Sequence, residues 1–146
     1  MTFDNPVLEV VRTFDAPPAK VFDAWLDKDA WQSWIGPEGC ASEITRFEPK
    51  VGGHYRLVMT LGDGRKVPVV GVFKAIDRPN GFAMTWGWEL SKGETLVTVS
   101  LRPAGGKTEL TLRHEGLPTP DDRRGHALGW NSTLNKLARF VKGETP

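Results

Sequence analysis

One segment, from Thr119 to Lys142, is long and periodic enough to form a helix that covers a whole sheet. It opens with Thr-Pro-Asp-Asp: an N-capping Thr119, Pro120 at the first helical position, and two carboxylates beside the positive end of the helix dipole. Ala127, Trp130, Leu134, Leu137 and Val141 then recur at steps of three and four, which keeps them in one narrow stripe, and Gly143 supplies the stop. Burying the large members of that stripe, at roughly 1.5–3 kcal/mol each, outweighs about 1 kcal/mol each for Gly125 and Gly129. Such a helix forms only against an apolar surface, and the rest of the chain must provide one.

The preceding residues read as strands and two short helices. Val7 to Phe14 is dense enough in apolar residues for a buried first strand, and Ala-Pro-Pro-Ala breaks it. Val21, Phe22, Trp25 and Leu26 follow with helical spacing, and a second short helix carries Ala30, Trp31 and Trp34 before Gly36-Pro37 ends it. Ala41 to Phe47 is mixed in polarity on both faces, which suits an edge strand. After Gly52-Gly53, Tyr55, Leu57, Met59 and Leu61 share one face. Lys66 to Ile76 has valines on both parities around Gly71, so a bulge is expected there, with Phe73 pointing inward.

Phe82, Met84, Trp86 and Trp88 form the richest apolar face in the chain, and a turn at Ser91-Lys92-Gly93 follows. Val97, Val99 and Leu101 line one side of the next strand. Past the turn at Pro103–Gly106, Leu110, Leu112 and His114 line one side of the last. A strand, two helices, a meander of about six strands and one long helix predict a single α+β domain over residues 1–146, with the helices on the apolar face of an antiparallel sheet.

Composition narrows the function. Nineteen basic against 18 acidic side chains, without a Lys/Arg run, leave no footprint for nucleic acid or an anionic membrane. A single Cys40, no signal-like N-terminus and no apolar run near 20 residues predict a soluble cytoplasmic protein without an internal disulfide. Six tryptophans are many for an ordinary core of 146 residues: any one of them reads equally as part of a Trp-rich core, and an aromatic-lined cavity is the sharper reading of the group.

No nucleophile elbow, phosphate loop, dinucleotide fingerprint or zincin helix is present, and His54, His114 and His126 lack metal-ligand spacing from one another or from Cys40. No catalytic residue, metal or cofactor is therefore assigned. His114 continues the inward parity of Leu110 and Leu112, while His126 flanks the helix stripe with Thr133. They are read either as hydrogen-bonded core or rim histidines or, with Thr133, as the few polar contacts of an apolar pocket. Leu128, Gly125, Ser132, Asn135, Lys136 and Arg139 project away from the stripe, and Leu128 with Gly125 is the one face suited to a homodimer.

Several short motifs, in order, carry a family resemblance: Ala16-Pro17-Pro18-Ala19-Lys20-Val21-Phe22-Asp23-Ala24-Trp25, Trp34-Ile35-Gly36-Pro37, Gly52-Gly53-His54-Tyr55-Arg56, Thr85-Trp86 and Gly129-Trp130. The chain resembles the family related to the C-terminal domain of the activator of heat-shock protein 90 ATPase, within the START-like (SRPBCC, Bet v 1-like) superfamily. The resemblance implies a helix-grip fold: a curved antiparallel sheet of about seven strands wrapped around the C-terminal helix, with a cavity between them. It also implies a hydrophobic small-molecule ligand, or an enzyme acting on polyketide-like substrates. The separate N-terminal domain of the full-length eukaryotic activator has no counterpart here, so a chaperone partner is doubtful.

The leading expectation is a protein that holds an apolar, aromatic or polyketide-like ligand between sheet and last helix. Trp34, Tyr55, Met59, Phe73, Met84, Trp86 and Trp88 would offer contact area, Trp130, Leu134 and Leu137 the helix wall, and His114, His126 and Thr133 polar anchors. The alternatives are a cyclase or hydrolase using His114 or His126 as acid or base in the same cavity, and a co-chaperone-type interaction module.

Overall fold

A computed structural model of the chain describes residues 7–89 and 93–146. Strand β1 (Val7–Phe14) is followed by helices α1 (Pro18–Leu26) and α2 (Lys28–Trp34), strands β2 (Ala41–Phe47), β3 (His54–Thr60), β4 (Lys66–Asp77), β5 (Gly81–Trp88), β6 (Thr95–Ala104) and β7 (Lys107–Glu115), and helix α3 (Pro120–Val141). All seven strands form one curved antiparallel sheet in the order β1-β7-β6-β5-β4-β3-β2. The mixed-polarity strand β2 is an edge, as its pattern predicts. The first two residues of the turn expected at Ser91-Lys92-Gly93 lie outside the described residues.

Alternation sets the inward face. Tyr55, Leu57 and Met59 of β3, Phe82, Met84 and Trp86 of β5, Val97, Val99 and Leu101 of β6, and Leu110, Leu112 and His114 of β7 are all buried. Leu61 falls beyond the end of β3 and is half-buried. The β6–β7 hairpin turns on Gly105 and Gly106, both at positive φ (58° and 83°), the geometry that a two-residue turn needs to match strand twist.

The irregularity of β4 is displaced from the expected position. The register against β5 shifts between Phe73 and Ala75, whereas Gly71 stands where the ladder to β5 is interrupted. Here the Tyr55 hydroxyl crosses Gly71 and donates to the Thr85 carbonyl at 2.5 Å, and the Val72 N–H donates to Thr85 Oγ1 at 2.8 Å. Two side chains thus replace missing backbone bonds, and the absence of a Cβ at Gly71 is what lets Tyr55 through.

Helix α3 begins and ends as its sequence dictates. Thr119 accepts from the Asp122 N–H at 3.0 Å, and the chain leaves through Gly143 at φ 79°. Its second half, through Leu134, Leu137 and Val141, is fully packed in the core shared with β1, α1 and α2. Lys136 corrects the helix-wheel reading. It is buried, with its ammonium on the Gly36 carbonyl at 3.3 Å, because the loop after α2 folds over that flank. The Glu38 N–H donates to Ser132 Oγ at 2.8 Å, and Arg139 pairs with Glu38. Desolvation draws the Lys136 ammonium below the ordinary lysine value. Leu128 stays exposed on the outer face.

Candidate functional site

The first half of α3 does not meet the sheet as closely as the second. Between them lies a cavity of about 380 Å³, above the roughly 300 Å³ lower end of small-molecule sites. Its helix wall is Gly125, His126, Gly129, Trp130 and Thr133, residues spaced to share one helical face. Its sheet wall is Met59, Leu61, Val67, Trp86 and Trp88. The loop after α2 contributes Ile35, Gly36 and Pro37, held by the Ser42 hydroxyl on the Ile35 carbonyl at 2.7 Å and by Lys136 on Gly36. Asp121 and Asp122 complete the lining at the start of the helix.

The glycines explain the space. A Cβ built at Gly125 or Gly129 would meet nothing within 4 Å, so neither is required by close packing. Each weakens the helix by about 1 kcal/mol relative to Ala, and that deficit keeps the wall thin beside Trp130. Gly129→Ala is therefore expected to raise stability by about 0.5–1 kcal/mol, read as a higher denaturant midpoint with unchanged slope.

Of the residues predicted to touch a ligand, Met59, Trp86, Trp88, His126, Trp130 and Thr133 line this cavity. Trp34, Tyr55, Phe73, Met84, His114, Leu134 and Leu137 are packed away from it in the core. Trp34 stands edge-on to Trp25 at 4.7 Å and donates its indole N–H to the Ala24 carbonyl at 2.9 Å. The tryptophans divide evenly: Trp25, Trp31 and Trp34 fill the core under α1 and α2, and the other three face the cavity. Ile35, Gly36, Pro37, Leu61, Val67, Asp121, Asp122, Gly125 and Gly129 line it without having been singled out as contacts. Their clearest sequence signal is the pair of helical glycines four apart beside Trp130.

The two histidines take different roles. His114 is wholly buried and both ring nitrogens are engaged. The Trp130 indole N–H donates to Nδ1 at 3.0 Å, so Nδ1 carries no proton. Nε2–H then donates to Thr95 Oγ1 at 2.6 Å, and that hydroxyl in turn donates a hydrogen bond to the Trp86 carbonyl at 2.7 Å. Burial, reinforced by the neighbouring His126, pulls His114 down to about 3 from the ordinary 6.5. It is a neutral core histidine that locks Trp130 onto β6 and β7.

This has a measurable consequence. At pH above 6.5 neither folded nor unfolded chain protonates this ring, and its contribution to stability is complete. As the pH falls below 6.5 the unfolded chain takes up a proton that the folded chain refuses, down to about pH 3. Stability should decline there at up to about 1.4 kcal/mol per unit, a little under 3 kcal/mol by about pH 4.5. Denaturant titrations at several pH values would show this slope, and His114→Gln should flatten it.

His126 is half-buried on the cavity wall, its ring 5.0 Å from that of His114 and 5.9 Å from that of Trp88. Its Nδ1 lies 2.8 Å from the Asp122 carbonyl, which can only accept, so Nδ1 carries a proton and, in the uncharged tautomer, Nε2 is an acceptor with no partner among the described residues. Among the described residues no three His, Cys, Asp or Glu side chains converge as metal ligands, and no helix is long and apolar enough to cross a membrane.

The architecture is shared with solved proteins. A Chromobacterium violaceum protein is 26% identical and superposes with a TM-score of 0.88, covering 94% of this chain and 97% of its own. The AHSA1 protein of Silicibacter pomeroyi is 29% identical with a TM-score of 0.82, over 93% and 97% of the two chains. A protein of the dynemicin biosynthetic locus has the same fold at 20% identity and a TM-score of 0.77, the match covering 97% of this chain and 49% of that one. No curated protein matches the sequence. The family described as Activator of Hsp90 ATPase homolog 1-like protein matches residues 15–142, nearly the whole of the sheet and helices described above, and the chain belongs to that family.

Proposed function

We propose that this protein binds an apolar, aromatic small molecule between the first half of α3 and the inner ends of β3, β4 and β5. The observation that carries the reading is a cavity of about 380 Å³ walled by three tryptophans, a methionine and two helical glycines, with only a few polar groups. Flat indole faces and a pliable thioether suit a planar guest, and sparse polar anchors are the usual composition of such sites. The same scaffold in a protein of the dynemicin biosynthetic locus is in keeping with small-molecule work.

Gly129 gives the cleanest test, because its side-chain direction is open. Gly129→Leu should place an isobutyl group in the cavity while leaving the core untouched, whereas Gly129→Ala should still admit ligand. In a thermal-shift screen of planar aromatics, a ligand at about 100 times its Kd adds roughly 2.7 kcal/mol of stability. A shift seen for the native protein and Gly129→Ala but lost in Gly129→Leu supports the site. A shift that persists in Gly129→Leu places binding elsewhere.

A reaction in the same cavity, of the cyclase or hydrolase kind, rests on one observation: the Nε2 of His126, which has no partner among the described residues and is fixed in orientation by the Asp122 carbonyl. That nitrogen is a candidate general base. Turnover of a bound compound that survives His126→Ala unchanged would remove this second reading.

A further inference from the structure

The polar groups of the cavity specify more than an apolar guest. Thr133 is 3% exposed, lines the cavity, and its hydroxyl has no hydrogen-bond partner among the described residues. That hydroxyl opens onto the cavity, so a guest that covers it must supply the hydrogen bond that water would otherwise make. His126, near the start of α3, is less buried, and with Nδ1–H committed to the Asp122 carbonyl its Nε2 is the acceptor of the uncharged tautomer. The two residues are seven apart on one helix, about 10 Å along its axis at 1.5 Å per residue. Between them the wall is Gly129 and the Trp130 indole, which offer no hydrogen bond to a guest: Gly129 has no side chain, and the Trp130 N–H is spent on His114.

Charge adds a second selection. Among the described residues no lysine or arginine lines the cavity, and Lys136 spends its ammonium on the Gly36 carbonyl beside Glu38 and Cys40. The charged groups in the lining are the carboxylates of Asp121 and Asp122, the first paired with Arg124 and the second accepting from the Thr119 hydroxyl at 2.9 Å. At the start of α3 a carboxylate guest would meet the Asp122 carboxylate, while the neighbouring Arg124 guanidinium is already paired with Asp121.

Resting on the binding role proposed above, we infer that the ligand is a neutral, elongated aromatic with a hydroxyl at each end, one donating to His126 Nε2 at the rim and the other pairing with the Thr133 hydroxyl at the floor. Fatty acids and other anionic lipids are selected against by the same groups.

Four probes on one skeleton test this by calorimetry: biphenyl, p,p′-biphenol, its dimethyl ether and the p,p′-dicarboxylate. The biphenol oxygens stand about as far apart as the two anchors. It should bind the native protein at least about 10-fold more tightly than the ether or the dicarboxylate, the equivalent of one or two net hydrogen bonds. Thr133→Val and His126→Phe, each confirmed folded by thermal unfolding, should narrow the biphenol-to-biphenyl ratio about 3- to 10-fold. Equal binding of biphenol, ether and biphenyl would overturn the hydroxyl requirement while leaving the cavity as a binding site. Tighter binding of the dicarboxylate would overturn the selection for neutral guests. Binding by none of the four, biphenyl included, would overturn the proposed function together with this inference.

Discussion

Replacing Trp130 with alanine is expected to destabilise the fold by about 4–6 kcal/mol, enough to leave a domain of this size largely unfolded if its total stability is near 5 kcal/mol. The ring is 4% exposed and lies 5.0 Å from that of Trp86 and 6.2 Å from that of Trp25, so removing it opens a hole where the helix, β5 and α1 meet. Truncating a buried tryptophan costs about 3–5 kcal/mol through lost transfer and residual cavity. The remainder comes from His114, whose Nδ1 would keep its lone pair in a dry site without the indole N–H that now satisfies it at 3.0 Å. Trp130→Phe should recover most of the volume and lose about 1–3 kcal/mol for the stranded nitrogen. Urea titrations of the two variants would separate these contributions, with the midpoint falling and the slope unchanged if both act on the native state. A loss below about 2 kcal/mol for Trp130→Ala would mean that Trp130 belongs to the cavity wall alone. Since the ring serves core and cavity together, Gly129→Leu is the better probe of ligand binding.

Gly71→Ala should be nearly as damaging, by about 3–5 kcal/mol, although it adds a single methyl group. That Cβ would stand 2.1 Å from the Thr85 carbonyl oxygen and 2.4–2.5 Å from the Tyr55 ring and hydroxyl. Strands β4 and β5 would have to part, at about 1–3 kcal/mol or more for overpacking, and Tyr55 would lose its bond to Thr85 in a wholly buried place. Burial already pushes the Tyr55 phenol far above its ordinary value, the mark of a hydroxyl that cannot ionise and needs its partner. The backbone oxygen, not the ring, is the harder obstacle. Tyr55→Leu in the same chain should therefore fail to restore stability, and full recovery in that double variant would assign the clash to Tyr55 instead.

Both predictions depend on features that a linear reading registers but misassigns. The Gly71 pattern suggests a bulge, because a glycine among valines weakens a strand wherever it stands. Its actual role, a gap through which a side chain of the neighbouring β3 crosses β4 to reach β5, involves Tyr55 and Thr85, which are 30 residues apart. Lys136 reads as a solvent residue from the helix wheel. The loop that covers it is joined to α3 by contacts spanning about a hundred residues, which periodicity within a helix does not encode.

The histidines mark the same limit. Strand parity places His114 inward, and inward it is, but whether an inward imidazole faces a cavity or a core depends on the neighbours above it. The Trp130 indole, Thr95 and the Trp86 carbonyl close it into a hydrogen-bonded chain that excludes it from proton transfer. His126, one turn from Trp130 on the helix, commits Nδ1 to a carbonyl four residues back, and its Nε2 has no partner among the described residues.

What the sequence alone determined is therefore the set of elements and their inward faces: the cap and stop of α3, the alternation of β3, β5, β6 and β7, and the edge position of β2. These follow from local rules, since capping, turn chemistry and the periods of helix and strand act over a few residues. The tertiary structure decided how much of the apolar surface is core and how much is cavity. Trp34, Tyr55, Phe73, Met84, Leu134 and Leu137 look no different in sequence from Met59, Trp86 and Trp130. The difference lies in how far α3 stands from the sheet along its length, which depends on the loop at Gly36 and the packing of α1 and α2 against the far end of the helix, while Gly125 and Gly129 leave the resulting space unfilled.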